Sequence, residues 1–138
     1  MSLGMFREPE LIQRTLNMSL TEQVRTQDAP NLVAVIAESV AGRSAGWSFI
    51  RKNWKQITER FTKHQMPAVV GALSSQISSE ALEQVREFFK ENPLPEASQK
   101  VAKTIENIEI NVAFRERSGA ALAEWLAANA PKVKAFKL

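Results

Sequence analysis

Between Gly42 and Phe61 the chain reads GRSAGWSFIRKNWKQITERF, and its large apolar residues Trp47, Ile50, Trp54, Ile57 and Phe61 recur at spacings of three, four, three and four. That spacing lines five bulky side chains along one side of an α-helix; a strand would need alternation every second residue. The other sides carry Arg51, Lys52, Lys55, Gln56 and Glu59. The pattern predicts one long amphipathic helix over 42–61 that buries its stripe, both tryptophans included, against other helices.

The remaining segments carry the same period. Leu11, Ile12, Leu16 and Leu20 line a first helix that starts near Pro9, and Ser19-Leu20-Thr21-Glu22 has capping-box spacing, which predicts a short restart of helix there. Asp28-Ala29-Pro30 opens a second helix, with Asp28 as the N-cap, that is apolar nearly all round from Leu32 to Ala37 and runs to about Gly42. A short helix enters through Pro67 with Met66, Val69, Val70 and Leu73, and Ser78 caps the next, striped by Leu82, Val85, Phe88 and Phe89. Asn92-Pro93-Leu94-Pro95 is the sharpest break, since each proline excludes the preceding residue from helix. A long helix follows with Val101, Ile105, Ile108 and Val112; Ser118-Gly119 is expected to interrupt it before a last helix around Leu122, Trp125 and Leu126. This predicts an all-α chain of seven helices without strands. Short connections pair such helices antiparallel, as stacked pairs, an α-solenoid segment or an irregular bundle. All three tryptophans are expected in the core.

Composition removes several function classes. At 138 residues the chain is long enough for a single domain, residues 1–138, with one core. Cysteine is absent, which excludes disulfides and thiolate sites and fits a cytoplasmic protein. Histidine occurs once, as His64 in the Thr62–Gln65 connection, so a zinc site lacks its nitrogen or sulfur ligands, and HExxH, GxSxG and glycine-rich phosphate loops are absent. No catalytic, cofactor-binding or metal-binding residue is assigned. A net charge of +3 with mixed signs gives nucleic acid little to hold. No apolar run reaches the ~18 residues that span a membrane. Met1-Ser2-Leu3, with another Met at position 5, reads as a leader over residues 1–5.

The tryptophan segment also resembles the GR-x-x-A-W-x-F-(I/L)-(R/K)-x-N-W stretch in the C-terminal helical domain of M1-family zinc aminopeptidases. Other segments are similar in the same order. PELIQRTLNMSLTEQVRTQD matches a helix ending VR-x-Q-D, and EALEQVREFFKENPLP a VxxFF helix before a proline break. TIENIEINVAFRER matches TIExIxxNxxWxxR, and Ala123-Glu124-Trp125-Leu126 a terminal WL. The likeness covers roughly residues 7–128 and departs at Gly46, where Ala is usual, and at Phe114, where Trp is usual. Gly46 is expected only to loosen its helix, by about 1 kcal/mol relative to Ala. The proline break and Gly42-Arg43 are most similar to the puromycin-sensitive, cytosolic branch, with likeness also to endoplasmic-reticulum antigen-trimming and insulin-regulated members.

The resemblance implies a HEAT-like α–α superhelix cut from a larger enzyme. Its zinc and catalytic residues would lie in a separate domain, and the helical domain would shape the substrate cavity and hold the far end of a peptide. The implied partners are the rest of the parent enzyme and peptide substrates. Within that frame Arg43 is the candidate contact for a peptide's C-terminal carboxylate, followed by Arg51 and Lys52. The first helix, with Leu11, Ile12, Leu16 and Leu20, is the expected exposed face through which the chain would self-associate. A free-standing helical-repeat module that binds a protein partner is the alternative.

Overall fold

The computed structural model describes residues 7–134; the leader expected over residues 1–5 lies outside them. The described residues form seven α-helices and no strand, consistent with a HEAT-like α–α superhelix: α1 Pro9–Met18, α2 Ala29–Glu38, α3 Arg43–Lys52, α4 Trp54–Arg60, α5 Met66–Ala72, α6 Ser79–Glu91 and α7 Ser98–Lys134. Short 3-10 turns follow α5 (Leu73–Ser75) and precede α7 (Pro95–Ala97).

The apolar character of α2 makes it the centre. Leu32, Val33, Ala34, Ile36 and Ala37 are all buried, and the helix packs on α1, α3 and α5. Helix α7 lies over α5, α6 and the 3-10 turn between them. Its polar residues explain that docking. Where α5 tightens and ends, its last carbonyls lose their helical partners. Asn111 Nδ2 donates to Ser74 O at 2.7 Å and to Gln76 O at 3.2 Å, and Thr104 Oγ1 donates to Val70 O at 3.4 Å. Ser75 Oγ donates to Ala37 O at 2.7 Å, tying the same turn to α2. Two polar positions of the TIENIEIN stretch, Thr104 and Asn111, are thus carbonyl partners for a neighbouring helix end.

Several expectations change. The tryptophan segment is two helices, broken at Asn53, whose side-chain amide also donates to Phe49 O, at 2.9 Å. The stripe survives because Asn53 N still bonds Phe49 O and Ile57 N still bonds Asn53 O, so the helical phase carries across the break. Trp47, Ile50, Ile57 and Phe61 are buried; Trp54 is half-buried. No helix restarts at Ser19: its hydroxyl donates back to Leu16 O at 2.6 Å instead of capping forward. Asp28 stands at the N-cap of α2 without capping it, because its carboxylate pairs with Arg25 at 2.8 Å. Helix α2 also ends before Gly42; Ser39 Oγ accepts from Gly42 N at 2.9 Å and closes the turn.

Ser118-Gly119 does not interrupt α7. A lone glycine costs a helix about 1 kcal/mol, and the flanking run of Ala, Leu and Glu outweighs it. The result is a single 37-residue helix whose outer part leaves the body of the domain. Trp125, Leu122 and Leu126 are therefore exposed rather than core. The expected exposed stripe on α1 is mostly covered, with Ile12 and Leu16 buried and Leu20 packed on the core; of the four, only Leu11 stands exposed.

Candidate functional site

Residues 43, 47 and 51 are four apart, so Arg43, Trp47 and Arg51 lie on one side of α3, flanked by Ser44 and Ser48. The structure opens a cleft of about 350 Å³ along that side, closed opposite by Gln76, Ile77 and the start of α6. Two helix N-termini meet there. The first residues of α3, Arg43 and Ser44, face Ser78, Glu80 and Ala81 at the beginning of α6. Aligned peptide dipoles give each of these ends a partial positive charge.

The side chains of the cleft hold one another in place. Ser78 Oγ accepts from Ala81 N at 3.1 Å, the cap expected for α6. Gln76, buried after the 3-10 turn, donates from Nε2 to Arg43 O at 3.1 Å and fixes the start of α3 against that turn. Trp47 is 3% exposed, yet its indole N–H reaches the cleft wall and donates to Gln84 Oε1 at 2.9 Å. Gln84 Nε2 in turn donates to Glu80 Oε1 at 3.2 Å. Behind the indole, the Phe88 ring stands edge-on at 5.4 Å between centroids, and Trp54 and Phe89 continue the aromatic cluster. The Trp47 ring is therefore fixed from two sides.

Onto its free face the Arg51 guanidinium stacks at 5.0 Å, a cation–π contact that positions the charge without using its N–H donors. Arg43 is half-buried, and its Nε is buried with no hydrogen-bond partner among the described residues. Arg60 also has a buried, unpartnered Nε, but its Nη2 donates to the Thr21 and Val24 carbonyls, a structural use in the loop after α1. None of the ion pairs among the described residues involves Arg43 or Arg51. Elsewhere, Glu83 and then Glu109 hold the Arg86 guanidinium further toward its charged form, and both of its partners are thereby taken.

The structure thus brings together two of the three candidate cations. Arg43 and Arg51 share the cleft; Lys52 is exposed and does not line it. The sequence pattern gives no site role to Gln76, Glu80 or Gln84 and places Trp47 in the core alone. The period-four run 43–47–51 was the available signal for Trp47. Nothing in the local sequence pairs α3 with Gln84, which is 37 residues away.

Gly46 has a structural reason for departing from Ala. A Cβ there would lie 2.7 Å from both Cα and Cβ of Ala37, so its absence lets α3 approach α2 closely. Gly42 is similarly confined, with a Cβ falling 2.5 Å from Ile36 O.

His64 is exposed in its turn, and the described residues contain no cluster of three or more His, Cys, Asp or Glu that could hold a metal ion. These residues do not fit a zinc centre. No described helix is long and apolar enough to cross a membrane.

A family model described as the ERAP1-like C-terminal domain matches residues 1–110. The chain belongs to this family. Among its relatives, endoplasmic reticulum aminopeptidase 1 of Mus musculus is 30% identical over 141 residues, covering 96% of this chain and 15% of that protein. The Homo sapiens protein of the same name is 30% identical over 113 residues, covering 76% and 12%. Aminopeptidase M1-A of Oryza sativa subsp. japonica is 25% identical over 120 residues, covering 86% and 13%. The chain therefore spans 12–15% of the length of these relatives. Aminopeptidase N from several mammals matches too, so the ERAP1-like family is shown without the puromycin-sensitive branch being singled out.

Proposed function

We propose that this ERAP1-like C-terminal domain is a non-catalytic, substrate-shaping part of a zinc aminopeptidase. In this reading it helps wall the substrate cavity and holds peptides for removal of their N-terminal residues by a catalytic domain elsewhere in the parent enzyme. Zinc and the reaction itself belong to that other domain. Membership in the family and the names of its relatives support the parent activity. The puromycin-sensitive branch and a cytoplasmic setting are part of the proposal; the Gly42-Arg43 and proline-break motifs support the first and the cysteine-free chain the second.

The observation that carries the local role is the cleft on α3. Arg43 and the ring-held Arg51, neither of them in an ion pair among the described residues, line one small space with two helix N-termini, which suits a carboxylate. A peptide lying across the domain with its N-terminus toward the catalytic centre would bring its terminal carboxylate here. Glu80 also lines the cleft, its Oε1 accepting from Gln84 Nε2, and its charge disfavours an acidic side chain beside that carboxylate. The chain as it stands permits a test. Peptides of about ten residues, with a free or an amidated C-terminus, are titrated while the Trp47 indole N–H resonance is followed. The free acid should bind roughly tenfold more tightly, about 1–2 kcal/mol for a charge-assisted contact, and should shift that resonance. Equal affinity for acid and amide would remove the carboxylate from the cleft.

A further inference from the structure

Between the 3-10 turn after α5 and the start of α6, the chain runs through Gln76, Ile77 and Ser78 without joining either helix. Gln76 (φ −64°, ψ 143°) and Ser78 (φ −103°, ψ 147°) both have extended backbones. An extended chain presents its N–H and C=O groups sideways, where a second extended chain can meet them. Most of these groups are already used. Gln76 N donates to Leu73 O at 3.1 Å, and Gln76 O accepts from Asn111 Nδ2 at 3.2 Å. Ser78 O accepts from Leu82 N at 3.0 Å. Ile77 is the exception: neither its N–H nor its carbonyl has a hydrogen-bond partner among the described residues, although the residue is half-buried. Backbone groups in partly covered positions need a partner, from water or from a ligand.

Ile77 and Ser78 also stand where two spaces adjoin. On one side they line the α3 cleft with Arg43 and Arg51. On the other they line a second cavity of about 310 Å³, with Val112, Arg115 and Glu116 of α7. The run 76–78 is held from both sides. Gln76 Nε2 donates to Arg43 O at 3.1 Å on α3, and the Asn111 contact ties it to α7. Ser79 Oγ donates to Glu116 Oε1 at 3.3 Å and fixes the far cavity. An occupant of both spaces crosses a fixed, extended piece of main chain that still has one donor and one acceptor to give.

We propose that a peptide lies extended across this run, its backbone paired with the N–H and C=O of Ile77, its terminal carboxylate in the α3 cleft and its preceding residues passing Val112 and Arg115. The direction of the chain rests on the reading of the α3 cleft as the carboxylate site. Main-chain pairing gives affinity without regard to side chains, so the domain would hold peptides of varied sequence near their C-terminal ends.

The full chain is titrated with a peptide acid of about ten residues, with its C-terminal amide, and with a series in which single backbone N–H groups near the C-terminus are replaced by ester oxygens. The Ile77 amide is followed by hydrogen exchange. The acid should slow that exchange by about tenfold or more. One ester position should weaken binding by roughly 3–10-fold and its immediate neighbours should not, because successive N–H groups of an extended chain point to opposite sides. Ile77→Pro removes the N–H without breaking a bond among the described residues, and Gln76 already has the extended conformation favoured before proline. It should weaken binding several-fold beyond Ile77→Ala, which keeps the N–H. If the acid binds more tightly than the amide while Ile77 exchanges as in the free chain and the ester series is flat, the pairing is overturned and the carboxylate site stands. Equal affinity for acid and amide with Ile77 protected overturns the carboxylate site and keeps the pairing. Binding of neither peptide overturns both.

Discussion

Gly46→Ala sets two physical effects of comparable size against each other. Replacing a mid-helix glycine with alanine ordinarily stabilises by about 1 kcal/mol, by restricting the unfolded chain and improving helix propensity. At this position the new methyl would sit 2.7 Å from Cα and Cβ of Ala37, and 3.2 Å from its backbone nitrogen. Carbon atoms pack at about 3.5–4.0 Å, so α2 and α3 must part by roughly 1 Å. The obstacle is backbone on the central helix, which no rotamer change relieves. Overpacking of this kind costs about 1–3 kcal/mol, and here it also loosens buried contacts of Trp47, Phe49 and Ile50 along the same helix. The overlap therefore outweighs the propensity gain, and a net loss of ~1–2 kcal/mol is expected, a fall in Tm of roughly 3–8 °C. Gly119→Ala provides the internal control, because nothing lies within 4 Å of a Cβ there and only the propensity gain remains. Thermal and urea unfolding of both variants gives the comparison. If Gly46→Ala stabilises as Gly119→Ala does, the close approach of α2 and α3 is wrong.

Trp47→Ala should destabilise by ~3–5 kcal/mol, because a buried indole, its bond to Gln84 and its edge contact with Phe88 are lost together; denaturant melts read this directly. Asn111→Ala leaves the Ser74 and Gln76 carbonyls without that donor and should cost ~1–3 kcal/mol, with faster amide exchange around the 3-10 turn as the local signature. The purified chain should show no turnover of an aminoacyl chromogenic substrate and no stoichiometric zinc by metal analysis, since one histidine and no cysteine cannot supply a zinc site.

Helix type and the core were legible because burial follows period. Leu16, Leu32, Ile50, Ile57, Val85 and Ile108 all lie where their spacing placed them, and all are buried. The helix ends were less legible, because side-chain amides and hydroxyls decide them. Asn53 stands at the break in the tryptophan segment, its side-chain amide sharing Phe49 O with its own backbone N–H, and Ser19 turns back to Leu16 O; neither shows in a hydrophobic pattern. The fate of Trp125 was not legible for a different reason. An apolar stripe announces that it needs a partner, but not whether the same chain provides one, and α7 outruns the helices that would cover it. Of the α3 cleft, the sequence shows the shared side of Arg43 and Arg51 but not the opposite wall. Arg43 and Arg51 share a helix face by sequence spacing, whereas Gln84 and Gln76 reach them only through tertiary packing.

The role proposed for the α3 cleft is to hold the far end of a peptide for a catalytic centre in another domain. Arg43→Ala in the full-length parent enzyme, assayed on a peptide of about ten residues and on a single-residue chromogenic substrate, tests it most directly. kcat/KM should fall about 5–30-fold for the peptide, equivalent to ~1–2 kcal/mol of lost charge-assisted contact, and stay unchanged for the short substrate, which has no distant carboxylate to place in the cleft. Lys52→Ala, outside the cleft, should leave both values alone. Equal losses on the two substrates, or no loss on either, would remove Arg43 from peptide binding.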